Sequence, residues 1–189
     1  VSTQVDASGA LRGRRLRRLG QIVLSEAPIE RLSGEALRAA LLGSVQEQGL
    51  STLYWSESAT QVRARVALMR RLEADVWPDW SDAALKGSLD EWLAPALDGV
   101  SRLKEVDVAG ALIDTLPFEL RRRLDRDAPA RFETPAGSAL LIDYAADGGP
   151  ALDVRLQELF GLDRHPSVAG GRVPLTLRLL SPAHRPVQT

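Results

Sequence analysis

Two runs near the end of the chain decide how the rest is read. They are Leu152-Asp153-Val154-Arg155-Leu156-Gln157-Glu158-Leu159-Phe160-Gly161-Leu162 and Gly170-Gly171-Arg172-Val173-Pro174-Leu175-Thr176-Leu177-Arg178-Leu179-Leu180-Ser181-Pro182-Ala183-His184-Arg185-Pro186-Val187-Gln188. In the first, Leu152, Leu156, Leu159 and Phe160 recur at helical spacing, which predicts an amphipathic helix from about Ala151 to Phe160, ended by Gly161. The second predicts a glycine hinge, a buried strand over 173–180 and a proline-braced turn into a last strand at 186–188. Leu152, Leu156, Phe160, Leu175, Leu177 and Leu179 are the expected core of this part. No catalytic constellation lies in either run, and alone they imply a soluble α+β domain.

Immediately upstream, Arg131-Phe132-Glu133-Thr134, the turn Pro135-Ala136-Gly137-Ser138 and Ala139-Leu140-Leu141-Ile142-Asp143-Tyr144 predict a β-hairpin. Residues 129–189 thus form a C-terminal α+β part. Residues 31–128 read as a helical subdomain. Ser33 suits the cap of a helix with Leu37, Leu41 and Val45 inward, ending at Gly49. Ser56 suits the next cap, with Val62, Val66, Met69 and Leu72 inward and Arg63, Arg65, Arg70 and Arg71 outward or flanking. Ser88-Leu89-Asp90-Glu91 fits a capping box, and Pro117 suits the first turn of a helix with Leu120 and Leu124 inward. Trp55, Trp77, Trp80 and Trp92 all fall here; they could stack on bases, but packing in the core is the expected role. The Arg121–Arg123 run is expected to be a solvated helix end.

Residues 1–30 predict an N-terminal β-hairpin around Ala7-Ser8-Gly9, with arginines on its open face. Charge is uneven. Residues 1–24 hold five Arg against one Asp; residues 25–128 hold thirteen basic against eighteen acidic side chains; the remainder balances six against six. Arg12, Arg14, Arg15, Arg17 and Arg18 therefore form a local basic excess. They suit a phosphate-facing patch or a solvated edge strand blunted by charge, and the sequence leaves both open.

At 189 residues the chain can hold one large core or two small ones. It has no Cys, which excludes disulfides and thiolate zinc sites and makes a cytoplasmic setting the expectation. No apolar run approaches the ~20 residues of a membrane-spanning helix. The first residue is Val, so a piece of a longer protein is expected. No P-loop, G-x-G-x-x-G turn or G-x-S-x-G elbow occurs, and His165 and His184 have no partner at metal-ligand spacing. Nothing here predicts catalysis, a bound cofactor or a metal.

Several blocks in order carry a resemblance. They are Arg17-Arg18-Leu19-Gly20, Trp55-Ser56-Glu57, Val62-Arg63-Ala64-Arg65-Val66, Trp77-Pro78-Asp79, Trp92-Leu93-Ala94-Pro95, Pro135-Ala136-Gly137-Ser138 and Ile142-Asp143-Tyr144. Val154–Gly161, Ala169–Leu175 and Leu179–Pro186 continue the series. Together they resemble the C-terminal region of the bacterial ATP-dependent helicase family HrpB, DEAH-box proteins of the DEAH/RHA group. The Walker A loop and the Asp-Glu-Ala-His box of that family are absent from these 189 residues, so no catalytic residue carries over. ATP and Mg²⁺ would belong to the helicase core of the parent, itself an ATP hydrolase, and no cofactor to this part.

The resemblance implies a non-catalytic accessory region that binds or positions nucleic acid, single-stranded RNA more readily than DNA. Candidate contacts are Arg12, Arg14, Arg15, Arg17 and Arg18, helped by Arg172 and Arg185 in a loop and a turn. The alternative is a docking or clamp module that packs on the helicase core of the same chain or recruits a protein partner, for which the acidic, Trp-containing helical part is suited. The expected architecture is a small OB-like barrel, with the N-terminal hairpin joining the strands after residue 130 and the helical part inserted between them.

Overall fold

The computed structural model describes residues 2–5, 11–19, 22–29 and 34–180, with side chains from residue 34 onward. In chain order come strands β1 (Ser2–Val5), β2 (Leu11–Leu19) and β3 (Ile22–Ile29), then helices α1 (Gly34–Gln48) and α2 (Glu57–Leu72). Helices α3 (Asp82–Gly87), α4 (Leu89–Trp92), α5 (Val108–Asp114) and α6 (Phe118–Asp127) follow. Strands β4 (Arg131–Glu133), β5 (Ala139–Asp143), β6 (Ala151–Arg155), β7 (Ser167–Val168), β8 (Val173–Pro174) and β9 (Thr176–Leu180) complete the described chain.

The residues fall into two compact units. One comprises 1–59 and 80–115, the other 60–79 and 116–189. In the first unit β1, β2 and β3 form an antiparallel sheet with β2 in the middle, and Pro28 sits on the edge strand β3, where proline is tolerated. The register slips between Arg17 and Arg18, a bulge in the most arginine-rich part of the strand. Helix α1 buries Leu41 and Val45, four residues apart on one face, with Leu37 half-buried. Trp92 is buried and donates its Nε1–H to the Leu85 carbonyl (2.9 Å), so its one polar atom is satisfied.

In the second unit, β4-β5-β6-β9 form a mixed sheet, with β4–β5 and β5–β6 antiparallel and β6–β9 parallel. The hairpin at 131–144 forms as the turn residues dictate, with Gly137 supplying the positive φ of 86°. Ile142, Leu152 and Val154 are buried on the covered face of this sheet, while Asp143, Asp153 and Arg178 form an ion-pair ladder on its other face (Arg178 to Asp143 3.2 Å, to Asp153 2.6 Å). Val66 and Met69 of α2, Leu124 of α6 and Trp77, in the turn after α2, are buried in this unit.

Five expectations need correction. The helix at Ala151–Phe160 is instead strand β6 followed by a 3₁₀ turn at Leu156–Leu159. Leu152 and Val154 are buried around exposed Asp153, a period of two, and β6 gains a parallel partner in β9, which a helix could not pair with. Of the core expected there, Leu152 and Leu175 are buried and Leu177 is half-buried, but Leu156, Phe160 and Leu179 are exposed. The described strands form three separate sheets and no closed barrel; β1–β3 pair only with one another, so the OB-like barrel is not assembled. Ser88 does not form the capping box at 88–91, because its hydroxyl donates to the Ala84 carbonyl (3.0 Å) of the preceding turn. Arg65 does not point outward; it is among the few buried charged side chains.

Candidate nucleic-acid interface

The five arginines expected to meet phosphate lie on β2, the middle strand of the first unit's sheet. Arg14 is in register with both Ser2 and Pro28, and Arg12 with Gln4. Their side chains lie outside the described residues, as does Arg185 altogether. Arg172 is described, and it belongs to the second unit. It sits in the loop between β7 and β8, where Ala169, Gly170 and Gly171 all adopt positive φ (55°, 65° and 89°). That tight loop returns Arg172 so that its Nε donates to the Ala169 carbonyl (2.9 Å) and its Nη2 to Glu73 (2.9 Å). The candidate arginines are thus not seen as one cluster: five sit on one strand, and Arg172 serves a separate network.

Glu73 is the centre of that network. Arg123 bonds it from α6 and Arg172 from the loop, and these two guanidiniums hold its pKa below the ordinary carboxylate value. Asp127 is likewise lowered, first by the Arg126 hydrogen bond and then by Arg123 (3.2 Å). Arg123 also lies over the Trp77 ring, 5.9 Å from its centroid. A second node is Asp143, whose pKa is lowered first by the Gln61 amide (2.9 Å), then by the Ala145 N–H and Arg178. Gln61 in turn accepts from the Tyr144 N–H (2.7 Å), and the buried Tyr144 hydroxyl donates to the Pro129 carbonyl (2.7 Å).

Other arginines are also engaged internally. Arg65 donates to the Ala128 and Leu124 carbonyls (2.6 and 3.3 Å) and to Asp125 (2.7 Å). Arg70 caps the Trp77 and Ala74 carbonyls, Arg121 reaches the Leu116 carbonyl, and Arg38 pairs with Asp98. These groups brace turns and helix ends and are poorly placed to leave for a phosphate. Arg122 is different: its guanidinium lies 5.8 Å from the centroid of Phe118, a ring that is 68% exposed. The sequence reading passed over this pair, although a Phe and an Arg four residues apart after Pro117 are the spacing at which helical side chains meet.

The first unit also holds an acidic cleft of about 410 Å³, lined by Glu91, Trp92, Pro95, Asp107, Gly110 and Asp114 among others. Its carboxylates suit a basic group and would repel phosphate. His165, expected in a loop, is there, donating from Nε2 to the Leu175 carbonyl (2.8 Å). Among the described residues, no helix is long and apolar enough to cross a membrane.

Comparison with known proteins places this architecture. The family described as "ATP-dependent helicase C-terminal" matches residues 92–189. The ATP-dependent RNA helicase HrpB of Escherichia coli is 40% identical over 187 residues, covering 97% of this chain and 23% of that protein. A crystal structure of the E. coli DExH-box NTPase HrpB superposes with a TM-score of 0.81 at 38% identity, covering 99% of this chain and 24% of that one. A second, of the Escherichia coli DEAH/RHA helicase HrpB, gives 0.80 at 36% identity, covering 100% and 24%. The chain therefore spans about a quarter of the length of these relatives. With the matched segment over half the chain and the fold shared throughout, the chain belongs to the ATP-dependent helicase C-terminal family of HrpB proteins.

Proposed function

We propose that this chain is the non-catalytic accessory region of a cytoplasmic DEAH-box helicase and holds single-stranded nucleic acid, RNA in preference to DNA, for the helicase core. The observation that carries this reading is the placement of Arg12, Arg14, Arg15, Arg17 and Arg18 within nine residues of the middle strand of a three-stranded sheet. The remaining described arginines largely have internal partners. A guanidinium offers a planar fork that matches phosphate geometry. The E. coli relative is named an RNA helicase, which favours RNA. ATP and Mg²⁺ would act in the core of the parent protein.

Fluorescence anisotropy with a labelled single-stranded RNA tests the proposal. Binding by the 189-residue chain is expected to weaken steeply with salt, by a slope of roughly 0.7 per phosphate neutralised. Replacing Arg14, Arg15, Arg17 and Arg18 with Ala should remove most of the affinity and flatten the slope. Absent or salt-independent binding would overturn the reading.

The acidic cleft favours a second reading, in which the chain docks a basic segment of the helicase core or of a partner protein. Glu91→Lys with Asp114→Lys should then weaken association with a separately expressed core while leaving RNA affinity intact.

A further inference from the structure

We infer that Phe118 and Arg122 on α6 form a second contact for a single nucleic-acid strand, in which a base stacks on the Phe118 ring and the adjacent phosphate meets the Arg122 guanidinium. The inference rests on the functional reading above and extends it to the second unit.

Phe118 is 68% exposed at the start of a ten-residue helix, so most of its ring is in water. Arg122, one turn later, holds its guanidinium 5.8 Å from the ring centroid. A ring this exposed, with a guanidinium beside it, offers a platform on which a base can stack. Any base can use it, since every base has a π-face.

Charge favours a nucleic acid over a protein partner. Three of the four arginines of α6 are committed: Arg121 to the Leu116 carbonyl, Arg123 to Glu73 and Asp127, and Arg126 to Asp127. Arg122 has no carboxylate partner among the described residues, and its guanidinium lies against the Phe118 ring. A protein-binding hot spot would sit within an apolar or aromatic patch. Next to Phe118 in the helix, Glu119 and Arg122 are charged and exposed. An exposed aromatic ring with an unneutralised guanidinium beside it matches the alternation of base and phosphate along a single strand.

The test is anisotropy on the 189-residue chain with labelled oligo(A) and oligo(U), across a salt series. Phe118→Leu keeps an apolar side chain but removes the π-face, and should lower affinity about 5- to 100-fold. Phe118→Tyr should restore it. Arg122→Gln should weaken binding and reduce the salt slope by roughly 0.7. If Phe118→Leu binds both strands as tightly as the unmodified chain, while the β2 alanine variant loses binding, this inference fails and the functional reading stands. If Phe118→Leu weakens only association with the separately expressed helicase core, the pair is a protein surface and the inference fails. If the unmodified chain binds no single strand, the functional reading fails with it.

Discussion

Arg65 is a buried charged side chain that ties two helices of the second unit together. It rises from α2 at the position between Val62 and Met69, on the buried face, and its guanidinium closes the C-terminal end of α6 by bonding the Leu124 and Ala128 carbonyls. Helix ends leave their last carbonyls without partners, and a cation there also meets the negative end of the helix dipole. Asp125 completes the set, but its side chain is 76% exposed, so solvent screens that ion pair. The expected outcome follows from this asymmetry. Arg65→Met should lower the unfolding free energy by about 2–3 kcal/mol, because buried carbonyls lose a charged donor. Asp125→Asn should cost under about 1 kcal/mol. Urea denaturation of both variants checks the ranking, and equal losses would contradict it. The sequence contained the signal: positions 62, 65, 66 and 69 share one helical face, and only the habit of sending Arg outward hid it. That Arg12, Arg14, Arg15, Arg17 and Arg18 lie on a strand was legible in the sequence. Phe118 was not, because an exposed ring and a buried one look alike in sequence.

At the level of elements, short-range chemistry was legible and long-range pairing was not. Hairpin β4–β5 could be read because its turn residues are local, and Ser56 caps α2 as expected, accepting from the Ala59 N–H (3.1 Å). Strand β6 could not, because Leu152, Leu156, Leu159 and Phe160 satisfy a helical period just as Leu152 and Val154 satisfy a strand period. The deciding partner, β9, begins twenty residues after β6 ends, beyond the reach of any periodicity window. Helix α5 allows a sharper test. Asp107 caps it, accepting from the Gly110 N–H through Oδ1 (3.0 Å), while a Cβ on Gly110 would meet Oδ2 at 2.5 Å. Elsewhere Gly→Ala inside a helix adds up to about 1 kcal/mol. Here Gly110→Ala must turn the capping carboxylate aside and lose a cap of about 1 kcal/mol, so the two effects should nearly cancel. In an Asp107→Ala background the same substitution should stabilise by its full propensity gain. A thermodynamic cycle from thermal melts measures the coupling, and additive effects would refute it.

Across the whole molecule, acid should attack the second unit through its carboxylates. Glu73, Asp127 and Asp143 all belong to it, and all three have pKa values lowered in the folded state. A lowered folded pKa contributes stability that is present above the unfolded value, near 4, and is lost as pH falls through the folded value. Stability should therefore be flat from neutral pH to about 5 and fall below about 4, with Glu73→Gln shallowing that decline; a pH series of urea midpoints tests both. The two units are also interleaved along the chain, since residues 60–79 belong with 116–189 while 80–115 return to the first unit. Translation runs in one direction, and this order has a cost in time. Val66, Met69 and Trp77 leave the ribosome well before Leu124, Ile142, Leu152 and Val154, buried apolar residues of the same unit, have been made. For that interval these apolar side chains lack the partners that bury them in the folded unit. The same order means that the family-matched segment 92–189, expressed alone, would leave Arg123 and Arg172 without Glu73, Tyr144 without Gln61 and α6 without Arg65.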